Sequence, residues 1–143
     1  MPEGHYTSSL TWMIVEDDRV IREVLLAMCQ LWDFPALAFK DGRQALDYLK
    51  QVPLPAPVPD VALIDIRIPG PWGHQVAARL REHPQIGSIP IILMTGYELE
   101  ASDVEQYLAE SGADLIVYKP LPPMEELLKI VDQLNQPRQR NTR

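Results

Sequence analysis

A small set of polar residues stands where short apolar runs end. Glu16, Asp17 and Asp18 follow the run at 12–15, Asp65 follows 61–64, Thr95 follows 89–94 and Lys119 follows 115–118. Carboxylates gathered within a few ångströms repel one another, so either one of them takes up a proton or a cation settles among them. The apolar runs deliver no His or Cys to the same place, so the cation suited to Glu16, Asp17 and Asp65 is a hard, oxygen-liganded one such as Mg²⁺. With that charge offset, Asp65 can act as a nucleophile toward phosphorus, with Lys119 and the Thr95 hydroxyl holding phosphoryl oxygens. The implied product is an aspartyl phosphate. Singly, each residue has a plainer reading: Asp18 a helix N-cap, Thr95 a turn residue, Lys119 a surface charge. Asp65 resists one, because it emerges from a buried run where an unpaired carboxylate is costly.

The elements that would bring these residues together are legible from periodicity. Strands are expected at 12–15, 36–39, 61–64, 89–94 and 115–118. Helices are expected at 19–32, 42–52 and 73–83, then one opened by Ser102 and Glu105 and closed by Gly112, and a last one opened by Pro122 and Pro123. In the first helix Ile21, Val24, Leu25, Met28, Leu31 and Trp32 form the apolar stripe, and Cys29 reads as a small core residue. Alternating strand and helix predict an α/β fold, a doubly wound parallel sheet, because parallel strands need crossover connections. In such sheets ligands bind at the carboxyl ends of the strands, where Glu16, Asp17, Asp65, Thr95 and Lys119 all fall.

Composition narrows the function classes. The 143 residues suit one domain, and 13 Lys plus Arg against 20 Asp plus Glu give a net charge of −7, which disfavours nucleic acid. The six residues 138–143 carry three arginines, so the remainder stands at −10. From Glu82 to Tyr118 there are seven acids and no Lys or Arg, a stretch that favours basic partners. No segment is apolar enough to span a membrane or serve as a leader, which leads to the expectation of a cytoplasmic protein. Prolines 53, 55, 57 and 59 suggest an extended spacer, His74 and His83 read as surface histidines, and the tail after 135 as disordered.

The motifs V-E-D-D after the first strand, L-I-D-I-R-I-P-G-x-x-G at the third, M-T-G at the fourth and Y-K-P-L after the fifth occur in a telling order. Through them residues 10–135 resemble a bacterial two-component response-regulator receiver domain, with 1–9 an extension and 136–143 a basic tail. The resemblance implies a flavodoxin-like (βα)5 fold with strand order 2-1-3-4-5. It also implies Asp65 as phosphoacceptor, and Mg²⁺ held by Glu16, Asp17, Asp65 and the backbone carbonyl of Arg67. Thr95 would be the switch hydroxyl, Lys119 the counter-charge and Pro120 the site of a cis bond. Gly96 and Tyr97 would flank the phosphoryl group, Gly96 leaving room for it, while Arg67 and Tyr97 would limit the attacking water.

The implied activity is that of a signalling switch that catalyses its own phosphorylation and dephosphorylation rather than an enzyme acting on others. Its phosphodonor would be a sensor histidine kinase or phosphotransfer protein. Its output would be a basic protein on the face made by the fourth helix, fifth strand and fifth helix, with homodimerisation left open. The family's switch aromatic lies three residues before the lysine, where this chain has Ile116, leaving Thr95 movement to couple to the fourth helix. An alternative is a receiver-like scaffold regulated without phosphorylation. A small Mg²⁺ phosphatase is disfavoured because Arg67 stands where its general acid would be, and a flavin carrier because no phosphate-binding loop follows the first strand. With no helix-turn-helix after Leu134, output is expected through protein contact, or the chain is a receiver cut from a longer protein.

Overall fold

A computed structural model describes residues 9–141. Five strands, β1 (Trp12–Val15), β2 (Ala36–Phe39), β3 (Val61–Asp65), β4 (Ile91–Thr95) and β5 (Leu115–Tyr118), form one parallel sheet in the order β2-β1-β3-β4-β5. Five helices, α1 (Arg19–Leu31), α2 (Gly42–Leu49), α3 (Gly73–Arg81), α4 (Ala101–Ser111) and α5 (Met124–Asn141), alternate with the strands. The expected α/β architecture and strand order are both present.

The sheet separates two apolar layers. Met13, Val15, Ile64, Leu93 and Ile91 point to the side of α2 and α3, while Trp12, Ile14, Leu63, Ile92 and Met94 point to the side of α1 and α5. Alternate residues of a strand face opposite ways, so strands covered on both sides are apolar along their length, as β1, β3 and β4 are up to the terminal Asp65 and Thr95. Cys29 lies in this core, where burial pushes its thiol up to about 11, so it is inert filler.

Local signals set most helix ends. Asp18 caps α1 by accepting from the Ile21 N–H at 3.0 Å, and Asp41 caps α2 through the Gln44 N–H at 2.8 Å. Gly112 ends α4 in the left-handed region, φ 71°, where a side chain would be strained. Arg81, at the end of α3, donates to the carbonyls of Gly112, Gly87 and Ile89 and pairs with Asp114 at 2.9 Å, tying α3 to the entries of β4 and β5.

Several expectations need correction. The cap of α4 is Glu100, whose N–H donates to Asp103 at 3.3 Å, two residues earlier than the Ser102–Glu105 pair. Asp114, counted among the seven acids that favour basic partners, is engaged within the protein by Arg81. Val24 and Leu31 of the α1 stripe are 54% and 78% exposed, because only one edge of that helix reaches the sheet. The proline-rich segment is not one continuous extended spacer: the Val52–Pro53 and Ala56–Pro57 bonds are cis, and Leu54 tucks into the core. His83 is buried; its Nδ1 accepts from the Gln85 N–H at 3.0 Å, which leaves Nε2–H to donate to the Gln51 carbonyl at 2.9 Å. His74 is largely buried as well. The last helix continues to Asn141, through most of the segment read as a disordered tail, while residues 1–8 of the N-terminal extension lie outside the described residues.

Candidate functional site

The carboxyl ends of β1, β3, β4 and β5 meet at one edge of the sheet. Glu16 is anchored there by its own N–H to the Phe39 carbonyl at 3.0 Å, and its side chain is fully buried. Its Oε2 accepts from the Asp18 N–H at 3.0 Å, so the tight turn into α1 fixes the carboxylate. Arg22, one turn into α1, donates to the carbonyls of Glu16 and Asp17 at 2.9 and 3.3 Å, holding the acidic loop against the helix.

Carboxylate oxygens of Glu16, Asp17 and Asp65 lie within 4.8 Å of one another. Lys119 reaches in from the end of β5, with Nζ 2.7 Å from Glu16 Oε1 and 3.2 Å from Asp65 Oδ2. The first contact is a close ion pair to a fully buried carboxylate. Glu16 and Asp65 therefore share the Lys119 ammonium, with the exposed Asp17 carboxylate beside them. Burial and the charge of Glu16 push the Asp65 carboxyl up to about 6, against the opposing pull of Lys119. For Lys119 burial acts downward, but Glu16 and Asp65 outweigh it and hold the ammonium above its ordinary value. Such a surplus of buried negative charge, made of oxygen donors alone, fits a hard divalent cation.

The surrounding loops are equally constrained. Gly73, which opens α3, donates to the Ile66 carbonyl at 2.7 Å, and a Cβ there would run into the Asp65 carbonyl. The next carbonyl, that of Arg67, accepts no backbone hydrogen bond among the described residues. Thr95 is buried; its Oγ1 accepts from the Tyr97 N–H at 3.1 Å, and its carbonyl accepts from the Lys119 N–H at 2.8 Å. A Cβ at Gly96 would meet nothing within 4 Å, so the space beside Thr95 is open. The Lys119–Pro120 bond is cis, as expected. Glu16, Asp17, Asp65 and Lys119 are brought together at this edge, and Thr95 ends the neighbouring strand.

Residues 12–132 match the response regulator receiver domain as a sequence family. The chain belongs to that family. The transcriptional regulatory protein SrrA of Staphylococcus aureus is 32% identical over 118 residues, 82% of this chain but 45% of the relative, so the chain spans about half the length of the curated relatives it matches. The BeF3-activated N-terminal receiver domain of Klebsiella pneumoniae RstA superposes with a TM-score of 0.69 at 25% identity, covering 87% of this chain and 97% of that one. The receiver domain of a Syntrophus aciditrophicus histidine kinase reaches 0.71 at 26% identity, covering 88% and 89%. A CheY-like receiver from Methanospirillum hungatei JF-1, at 21% identity and a TM-score of 0.72 over 94% and 99% of the two chains, shares the fold.

Two features of this receiver went unnoticed in the sequence. Val20, Val24 and Met28 of α1, with Pro120 and Leu121, line an exposed apolar groove of about 420 Å³ that begins at Lys119. The exposed edge of an amphipathic helix cannot be separated from its buried edge by periodicity alone. The rim opposite carries Arg67, its guanidinium 4.2 Å from the Tyr97 ring centre and 5.7 Å from that of Trp72. Separations of five and thirty residues hid that stack. Among the described residues no helix is long and apolar enough to cross a membrane.

Proposed function

We propose that this receiver accepts a phosphoryl group on Asp65 from a histidine kinase or phosphotransfer protein and switches a protein-binding surface in response. The observation that carries the reading is the convergence of Glu16, Asp17 and Asp65 within 4.8 Å, with Lys119 touching both Glu16 and Asp65. Glu16, Asp17, Asp65 and the Arg67 carbonyl would hold Mg²⁺, whose charge, when bound, offsets the repulsion between Asp65 and the incoming phosphoryl oxygens.

Asp65 contributes the attacking oxygen. A new P–O bond forms to its carboxylate as the donor's P–N bond, or the P–O bond of acetyl phosphate, breaks and the leaving group departs with that electron pair. Lys119 balances charge at the carboxylate it already touches. The Thr95 hydroxyl, which accepts from Tyr97, keeps its own proton to donate to a phosphoryl oxygen. Arg67 and Tyr97, stacked at the rim, limit the approach of hydrolytic water. The apolar α1 groove beside Lys119 suits the apolar face of a donor helix. The protein acts in the cytoplasm, where such donors present their phosphohistidine.

The test is incubation with Mg²⁺ and acetyl phosphate followed by intact mass measurement. A gain of one phosphoryl group is expected, lost in Asp65→Asn and on chelation of Mg²⁺. No adduct, or an adduct that survives Asp65→Asn, would overturn the reading, and rapid turnover of assorted phosphate esters would indicate a phosphatase.

A further inference from the structure

Between α3 and α4 lies an open groove of about 540 Å³ lined by Trp72, His74, Asp103, Gln106, Tyr107 and Glu110. Its walls are aromatic: Trp72 meets His74 edge-on at 6.0 Å between ring centres, and His74 packs on Tyr107 at 4.7 Å. The carboxylates of Asp103 and Glu110 line the groove from α4. Asp103 accepts from the Glu100 N–H, and Glu110 accepts from Gln106 Nε2 at 3.2 Å and faces His74 Nε2 at 3.6 Å. Burial holds His74 below its ordinary pKa despite Glu110, so at neutral pH it brings no positive charge to that carboxylate. Among the described residues no Lys or Arg pairs with Asp103 or Glu110.

A second observation shows what such a place takes. The Trp72 ring, 39% exposed, already has the Arg67 guanidinium over it at 5.7 Å. Aromatic faces attract cations, arginine more often than lysine, because the planar, weakly hydrated guanidinium stacks and can still donate in its own plane. Two uncompensated carboxylates beside aromatic walls supply both halves of that recognition. We propose that the groove between α3 and α4 is a docking site for an arginine side chain of a partner protein. The proposal does not rest on phosphorylation, since the groove is present beside an unmodified Asp65. It places the basic partner on α3 and α4 rather than on the α4, β5 and α5 face that the family resemblance implied.

The test is a titration of the intact ¹⁵N-labelled protein with a neutral twelve-residue peptide carrying one central arginine, and with its lysine and citrulline counterparts. The arginine peptide is expected to shift the Trp72 indole and the backbone amides of 74 and 103–110. The isosteric double variant Asp103→Asn, Glu110→Gln should weaken binding about tenfold, and lysine should bind several-fold more weakly than arginine. No shifts, shifts scattered over the acidic surface, equal binding of lysine, or an unchanged double variant would each overturn the proposal. Shifts around Asp65 on adding Mg²⁺ and beryllofluoride report that the double variant is folded. Their absence from the parent protein would count against the phosphoacceptor reading and leave the groove result standing.

Discussion

At the scale of single residues the balance of charge around Lys119 decides most of the site's behaviour. Glu16 is fully buried, so removing Lys119, the one cation that pairs with it among the described residues, leaves a buried carboxylate without a counter-charge. Lys119→Met is expected to destabilise the metal-free protein by about 3 kcal/mol at neutral pH, read by urea denaturation. Asp65→Asn should do the reverse. It keeps the shape and removes one of the repelling charges, raising stability by roughly 1–2 kcal/mol at pH 7 once solvent screening is allowed for. If the Asn variant proves less stable than the parent without Mg²⁺, Asp65 is not under the strain its surroundings imply. The types of these residues were plain in the sequence. That Lys119 serves both Glu16 and Asp65 was not, because contact between β1, β3 and β5 depends on how the sheet is ordered.

At the scale of elements the site depends on how closely α3 packs under β3. A Cβ on Gly73 would collide with the backbone of Asp65 and Ile66, which can yield only by moving the strand end that carries the site. Gly73→Ala should therefore cost about 3 kcal/mol and weaken Mg²⁺ binding measured by calorimetry. Gly96→Ala, with open space around its Cβ, should change stability by no more than about 0.5 kcal/mol. Periodicity located all ten elements, and Asp18 and Gly112 marked two boundaries correctly, since caps are local signals. The start of α4 was misplaced because two cap pairs, Glu100 with Asp103 and Ser102 with Glu105, compete within three residues, and sequence cannot rank them. The buried roles of His83 and Arg81 were likewise out of reach. Both depend on carbonyls, at Gln51 and Gly112, supplied by chain more than thirty residues away.

At the scale of the molecule stability and metal binding are linked through the same carboxylates. The folded Asp65 carboxyl titrates at about 6 against 3.8 for a free aspartate, so the folded state holds a proton that the unfolded chain has released. Stability from this group is complete below pH 3.8 and is lost as pH rises through about 6. Thermal melts of the metal-free protein should accordingly show this contribution falling across that window. Mg²⁺ at about a hundred times its dissociation constant should return roughly 2.7 kcal/mol at pH 7.5, and much less at pH 5, where Asp65 is protonated. An equal Mg²⁺ effect at both values would place the ion elsewhere.

The sequence by itself determined the (βα)5 order, the two-sided core and the residue types at the carboxyl edge. Those follow from local periodicity and from the rule that parallel strands expose their carboxyl ends together. Only the tertiary structure decided which edge of α1 stays exposed, that Arg67 lies across Tyr97 and Trp72, and that His74 closes against Glu110 to shape a groove. Apart from Arg67 with Trp72, neighbours in one loop, these arrangements arise only when the elements pack on the assembled sheet, and contacts of that kind leave no period in the chain.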